Sequence, residues 1–228
     1  MKAILLSTRP KWCEKICHKI GIDKNGKPVY EKPIEVRKTK PSISTPFKVF
    51  IYCSKQRVNG EILLTYDKKV EGRNRGFRDK GDIPLAGKVI GEFICDKIEE
   101  FSVGSLRGDD IVDLACLSYK EIIDYFYKPE ELDGKTAKHG YAWHITDLKI
   151  YDKPKGLWQF YKCGAKSFEE LSNTGEICEY CKYPSKGLFL CEGRFCDEAY
   201  EEYLEQEFAL TRPPQSWCYV EELEEKKC

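Results

Sequence analysis

Neither sign of charge dominates this chain, and no long apolar run interrupts it. Lys/Arg and Asp/Glu each number 38 among 228 residues, so overall charge selects no partner. No stretch approaches the ~18 consecutive apolar residues of a membrane-spanning helix, so no span is expected. Ala3–Leu6 is too short for the apolar core of a secretory signal, and Ser7-Thr8-Arg9 follows at once. The expected compartment is the cytoplasm of a bacterium, or of a cell infected by a phage. Histidine is scarce, with 3 residues, and His144 on its strand reads as structural before it reads as a catalytic acid.

The balance of charge hides a division. Residues 1–90 hold 21 Lys/Arg against 9 Asp/Glu, and residues 91–228 hold 17 against 29. A basic half points toward phosphate if folding gathers it on one face, and toward nothing if the fold mixes the halves. Arg73 and Arg75 lie among glycines with Phe77, as in a loop that contacts nucleic acid or in a solvated hairpin tip.

Cysteine is the residue in excess, with 12. Without a secretory signal this favours reduced thiols or metal over a disulfide framework. Cys178 and Cys181 form a C-x2-C pair, Cys191 and Cys196 a C-x4-C pair, and nine residues separate them. Two such pairs around a turn suit a tetrahedral, structural zinc site, with Cys163 as a substitute ligand. An iron–sulfur cluster also takes four thiolates, a redox dithiol would need a βαβ setting that is missing here, and unrelated buried cysteines are the plainer reading. After the quartet, Asp197–Phe208 reads as an acidic helix with Tyr200, Leu204 and Phe208 in one row. Such a helix repels phosphate and suits a basic protein partner.

Elsewhere the chain reads as short strands with two helices, an α+β fold with a β core. Lys2–Ser7 is a strand. A helix from about Pro10 to Ile20 places Trp12, Ile16 and Ile20 on one face, with Cys13 and Cys17 as small buried residues beside them. Asn25-Gly26 signals a hairpin. Phe47–Cys53 is a buried strand, and Gly87–Ser102 is a central strand region in which Gly91 marks a bulge or a close backbone approach. Ser118 and Glu121 form a capping box for a helix over Tyr119–Tyr127. Tyr141–Tyr151 and Ser216–Leu223 complete the strands, with Trp217 and Tyr219 on one face.

The densest chemistry is in Lys32-Pro33-Ile34-Glu35-Val36-Arg37-Lys38. Ile34 and Val36 alternate with Glu35 and Arg37, so a strand with one core face presents a carboxylate and a guanidinium on the other, with Lys32 just ahead. A carboxylate beside two cations holds a polar ligand or tunes a proton-transfer group; an ordinary solvated ion pair is the plainer alternative. With Leu5–Trp12 upstream, and with Gly140–Ile145 and Arg212–Val220 downstream, this stretch resembles the ASCH domain, a relative of the PUA fold. That family carries Gly-x-Lys-x-x-Glu-x-Arg; Lys32, Glu35 and Arg37 match it, while Tyr30 stands at the glycine position and Gly21–Tyr30 reads as an inserted hairpin.

The resemblance implies a small mixed β-barrel of PUA-like type with flanking helices. Residues 1–160 would form the barrel, 211–224 would complete it, and 161–210 would be the cysteine-rich zinc-binding insertion with its acidic helix. It also implies RNA as the partner, held in a cleft between barrel and first helix by Lys32, Glu35 and Arg37. Arg9, Lys38, Arg73 and Arg75 would add salt-dependent affinity, and Trp12 or Trp143 a stacking surface. An alternative is a hydrolase acting on RNA or a modified nucleoside, with Lys32, Glu35 and Arg37 as catalytic residues. One branch of the family hydrolyses acetylated cytidine with a lysine and a threonine; Lys32 matches the first, but Glu35 stands where the threonine would be. A further alternative is a phage protein that binds a host factor through the zinc insertion.

Overall fold

Ala-Ile-Leu-Leu-Ser-Thr, residues Ala3–Thr8, forms β1, and the fold is layered about it. Both faces of this strand are buried: Ile4 and Leu6 enter one core cluster, Ala3 and Leu5 another. A near-continuous apolar run is what a strand covered on both sides requires. The structure, a computed structural model, describes residues 3–55, 57–58, 61–62, 65–66, 77–78, 83–105, 110–128, 137–164, 170–171, 173 and 194–222.

In chain order, β1 is followed by α1 (Pro10–Cys17), β2 (Lys19–Ile22), β3 (Pro28–Tyr30), β4 (Ile34–Arg37) and β5 (Phe47–Cys53). Five two-residue strands come next: β6 (Arg57–Val58), β7 (Glu61–Ile62), β8 (Thr65–Tyr66), β9 (Phe77–Arg78) and β10 (Ile83–Pro84). Then come β11 (Lys88–Cys95), β12 (Ile98–Ser102), α2 (Asp110–Leu114), α3 (Tyr119–Phe126), β13 (His139–His144), β14 (Thr146–Lys155), β15 (Phe160–Lys162), α4 (Arg194–Tyr203) and β16 (Trp217–Glu222). The principal sheet runs β14-β11-β5-β1-β16-β15, and a second runs β12-β13-β4. The fold is mixed α+β. No helix among the described residues is long and apolar enough to cross a membrane.

β1 and β5 are parallel, and the crossover between them carries α1, the β2–β3 hairpin and β4. α1 buries Cys13, Ile16 and Cys17 on the principal sheet, in the same cluster as Trp143 from the second sheet. β4 is an edge strand of the second sheet, paired with β13 so that Glu35 faces Trp143 and Arg37 faces Tyr141. Its other face, Ile34 and Val36, packs with Ala142, Ile122 and Phe126 beneath α3. All four residues of β4 are therefore buried, whereas alternation alone assigns only Ile34 and Val36 to a core.

Four expected elements differ. The region Gly87–Ser102 divides into β11 and β12, which serve different sheets. The first helix stops at Cys17, and Ile20 is 59% exposed on β2. Pairing in the β2–β3 hairpin captures Lys19–Ile22, and the Glu31 N–H donates to the His18 carbonyl at 2.9 Å, fixing the exit from the helix. Tyr141–Tyr151 is broken at Ile145, whose N–H donates to Pro33 O at 2.9 Å, so its two halves serve different sheets. The acidic helix ends at Tyr203 and widens into a π-helical turn, Leu204–Phe208, that brings the Tyr203 and Phe208 rings to 5.2 Å. Tyr203 and Leu204 bury against Tyr161 of β15. At Gly91 the register between β11 and β14 shifts, and a Cβ there would stand 2.5 Å from the Lys149 carbonyl oxygen, so only glycine fits without a shift of backbone.

Candidate functional site

A cleft of about 670 Å³ opens where the C-terminal end of β1, the start of α1, β4 and α3 converge. Its lining includes Arg9, Trp12, Lys32, Glu35 and Arg37. The β1-to-α1 turn places the first two: Arg9 is the helix N-cap residue, and Pro10 at the first helical position fixes the entry angle. The β4 strand places Glu35 and Arg37.

Charged residues are almost never fully buried unless paired, and these three are both buried and paired. Lys32 is 1% exposed, Glu35 6% and Arg37 7%. Arg37 donates from Nη2 to Glu35 Oε1 at 2.7 Å, to the Ser7 carbonyl at 3.0 Å and to Thr8 Oγ1 at 3.3 Å. Its Nη1 reaches Ser216 Oγ at the long distance of 3.5 Å. Lys32 Nζ donates to the Ala115 carbonyl at 2.5 Å and stands 3.3 Å from Glu35 Oε2, without the geometry of a hydrogen bond. Burial pushes the Lys32 ammonium below its ordinary value, while Glu35 pulls it back up. Two buried atoms of the set, Glu35 Oε2 and Arg37 Nε, have no hydrogen-bond partner among the described residues. Both atoms are buried beneath the cleft, with Glu35 turning Oε1 to Arg37 and Oε2 to Lys32.

The walls differ from the floor. The Lys32 ammonium lies 5.3 Å and the Lys11 ammonium 4.4 Å from the centre of the half-buried Trp12 ring. Opposite, α3 contributes Glu121, Asp124 and Tyr125. The Tyr125 hydroxyl is pushed up from its ordinary value, chiefly by burial. The Lys11 ammonium, 2.7 Å away, and the Ser118 backbone hold the Glu121 carboxyl down at about 2. Because this pKa is depressed on folding, its contribution is complete above the ordinary value of 4.5 and is lost as pH falls toward 2. The pair is exposed, so the expected contribution is at most about 0.5 kcal/mol. Urea midpoints of the wild type and Glu121→Gln are expected to differ above that range and to converge at its acid end.

Other singled-out residues fall elsewhere. Lys38 is exposed, with its ammonium 5.0 Å over the Tyr125 ring at the cleft margin. Trp143 is fully buried, packed edge-on against Phe47 at 5.8 Å, and so offers no stacking surface; Trp12 is the indole on the cleft. His144 is not among the lining residues and stands 3.6 Å from Glu99. Arg73, Arg75, Cys178, Cys181 and Cys191 lie outside the described residues, and Cys196 is placed only by its backbone in α4. Thr8, Asp124, Tyr125, Gln215 and Ser216 also line the cleft, and sequence spacing does not mark them as site residues. Gln215 and Ser216 lie within a segment that carries the family resemblance, whereas Asp124 and Tyr125 look like any polar helix face.

No protein-family model and no curated protein matches this sequence. Among solved structures, the chain is similar to the crystal structure of ASCH from Zymomonas mobilis, at 16% identity and a TM-score of 0.44, over 96% of this chain and 87% of that one. A variant of the same Zymomonas mobilis protein aligns at 15% identity and a TM-score of 0.44, over 97% and 91% of the two chains.

Proposed function

We propose that this protein is an ASCH-like RNA-binding protein that takes a nucleobase of single-stranded RNA into the cleft. The observation that carries the reading is the buried Lys32–Glu35–Arg37 set with unused hydrogen-bonding capacity at Glu35 Oε2 and Arg37 Nε. Buried ion pairs are seldom better for stability than apolar residues of the same volume, so such a set on a cleft floor points to a ligand. The charged set lies just beneath the cleft surface and orders the floor against which a base would sit, and Trp12 supplies a stacking face. At 1% exposure Lys32 cannot meet a phosphate; it holds Glu35, and phosphate falls to Arg9 at the rim. Lys38, Arg73 and Arg75 are proposed as further basic contacts.

The depressed Lys32 amine beside a carboxylate favours one second reading, a hydrolase acting on RNA or a modified nucleoside. The cysteine quartet is proposed as a structural zinc site, with residues 161–210 as the insertion that carries it. Total cellular RNA retained on the protein and analysed by mass spectrometry of its nucleosides separates the readings. Binding predicts RNA enrichment that falls steeply with salt and is lost in Arg37→Ala, with no nucleoside changed in mass. Turnover predicts a mass change that Glu35→Gln abolishes while RNA is still retained. Absence of enrichment at low salt excludes both, and points to a protein partner at the acidic insertion.

A further inference from the structure

The geometry points to a second RNA-contacting element: a lysine row along one end of the principal sheet that leads from the cleft to Trp158, which serves as a stacking platform for a downstream base. The inference rests on the reading of the cleft as an RNA site. Strand register supplies the path. Ser7 pairs with Tyr52, Tyr52 with Val89 and Val89 with Lys155 across four strands through a buried row, and Thr8, Cys53 and Lys88 form the adjacent row on the opposite face, so the register locates one end of the sheet and the path follows its rim. Ser7, Thr8 and Ser54 line the cleft, so the same sheet end carries the cleft at one side and Lys155 at the other. Lys55 follows Ser54 directly, and its methylenes lie across Gly87, where a Cβ would come within 2.5 Å.

Lysines farther along the sheet share one carboxylate: Lys48 and Lys149 reach Glu92 at 3.6 and 3.8 Å. Among the described residues, no carboxylate stands within ion-pair distance of Lys55 or Lys88. The Lys155 ammonium is held 4.9 Å over the Tyr151 ring. Just beyond it, Trp158 sits in the short turn Leu157–Gln159 and is 65% exposed, the most exposed large apolar side chain of the described residues. The indole lies against the turn that carries it. Its edge lies on Gly156, where a Cβ would come within 2.4 Å of Nε1, and the Gly156 N–H donates to Gln159 Oε1 at 2.9 Å. An exposed indole after a run of cations is what sequence-tolerant binding of a single strand uses. Three strand steps separate Ser7 from Lys155, roughly 14 Å, or about four nucleotides at stacked spacing.

Fluorescence anisotropy with random-sequence RNA oligonucleotides of about 2 to about 12 nucleotides tests the path. Affinity of the wild type is expected to rise with length until the strand reaches Trp158. Trp158→Ala should weaken the long oligonucleotides about tenfold and leave the short ones unchanged, with Trp158→Phe restoring most of the loss. Lys55→Ala/Lys88→Ala should lower the salt slope for long oligonucleotides by about 1.4. Wild-type binding of long oligonucleotides by both variants would overturn the path while leaving the cleft intact. Losses in these variants, with Arg37→Ala binding normally, would keep the path and remove the cleft reading. No RNA bound by the wild type at any length would overturn both.

Discussion

Replacing Glu35 by alanine is expected to cost about 3–5 kcal/mol of folding stability, although it removes a single side chain from a short strand. Glu35 is the counter-charge for two cations that have almost no water. Arg37 would retain Ser7 O and Thr8 Oγ1 but lose its 2.7 Å partner, and Lys32 would keep only the Ala115 carbonyl. Burial already depresses the lysine, and without Glu35 that depression deepens. The folded variant then sheds a proton that the unfolded chain keeps, so its stability should climb as pH rises toward the ordinary lysine value of 10.5. Urea denaturation at neutral and alkaline pH measures both effects. A loss below about 1 kcal/mol would mean that water reaches the set in solution.

The second large effect separates two tryptophans that composition treats alike. Trp143→Ala should destabilise by about 3–5 kcal/mol, because a fully buried indole packed on Phe47 and Trp217 leaves a cavity that the two sheets cannot close. Trp143→Phe should fold and, if the cleft takes RNA as proposed, keep the RNA affinity of the wild type. Trp12→Ala should fold, since the ring is half-buried on the cleft wall, and should weaken RNA binding by a factor between about 5 and about 100. The assignment of the stacking surface fails if Trp143→Phe impairs binding as much as Trp12→Ala does. Thermal denaturation alongside RNA titration reads both quantities on the same samples.

What the sequence reveals of the site follows from how locally each part is encoded. Lys32, Glu35 and Arg37 fall within six residues, so spacing alone joins them. Their burial is not legible: a polar strand face reads as solvated until the end of β1 is laid against it. Arg9 and Trp12 follow from one turn after β1. Ser216, in contrast, reaches the floor only because β16 pairs with β1, a pairing across most of the chain. Ile20 continues the helical period of Trp12 and Ile16, yet hairpin pairing takes it into β2; the period records compatibility with a helix, and tertiary hydrogen bonds decide. Gly91 is legible because a glycine weakens the strand it interrupts, and so marks a place where a neighbouring backbone leaves no room for a Cβ. The break at Ile145 is not, since nothing in Trp143-His144-Ile145-Thr146 marks a change of sheet.

The neighbours of β1 impose an order of events on the site. β5 lies on one side, made early in synthesis, and β16 on the other, made last of the described strands. A ribosome releases Lys32, Glu35 and Arg37 long before Gln215 and Ser216 emerge. During that interval β1 has an open edge and the cleft lacks a wall. The cleft is therefore completed in one late step, when β16 docks and Ser7 N–H closes on Ser216 O at 2.8 Å. A nascent or prematurely terminated chain is then a different object, a four-stranded sheet that ends at the apolar edge of β1 and is open to the association that unpaired edges invite.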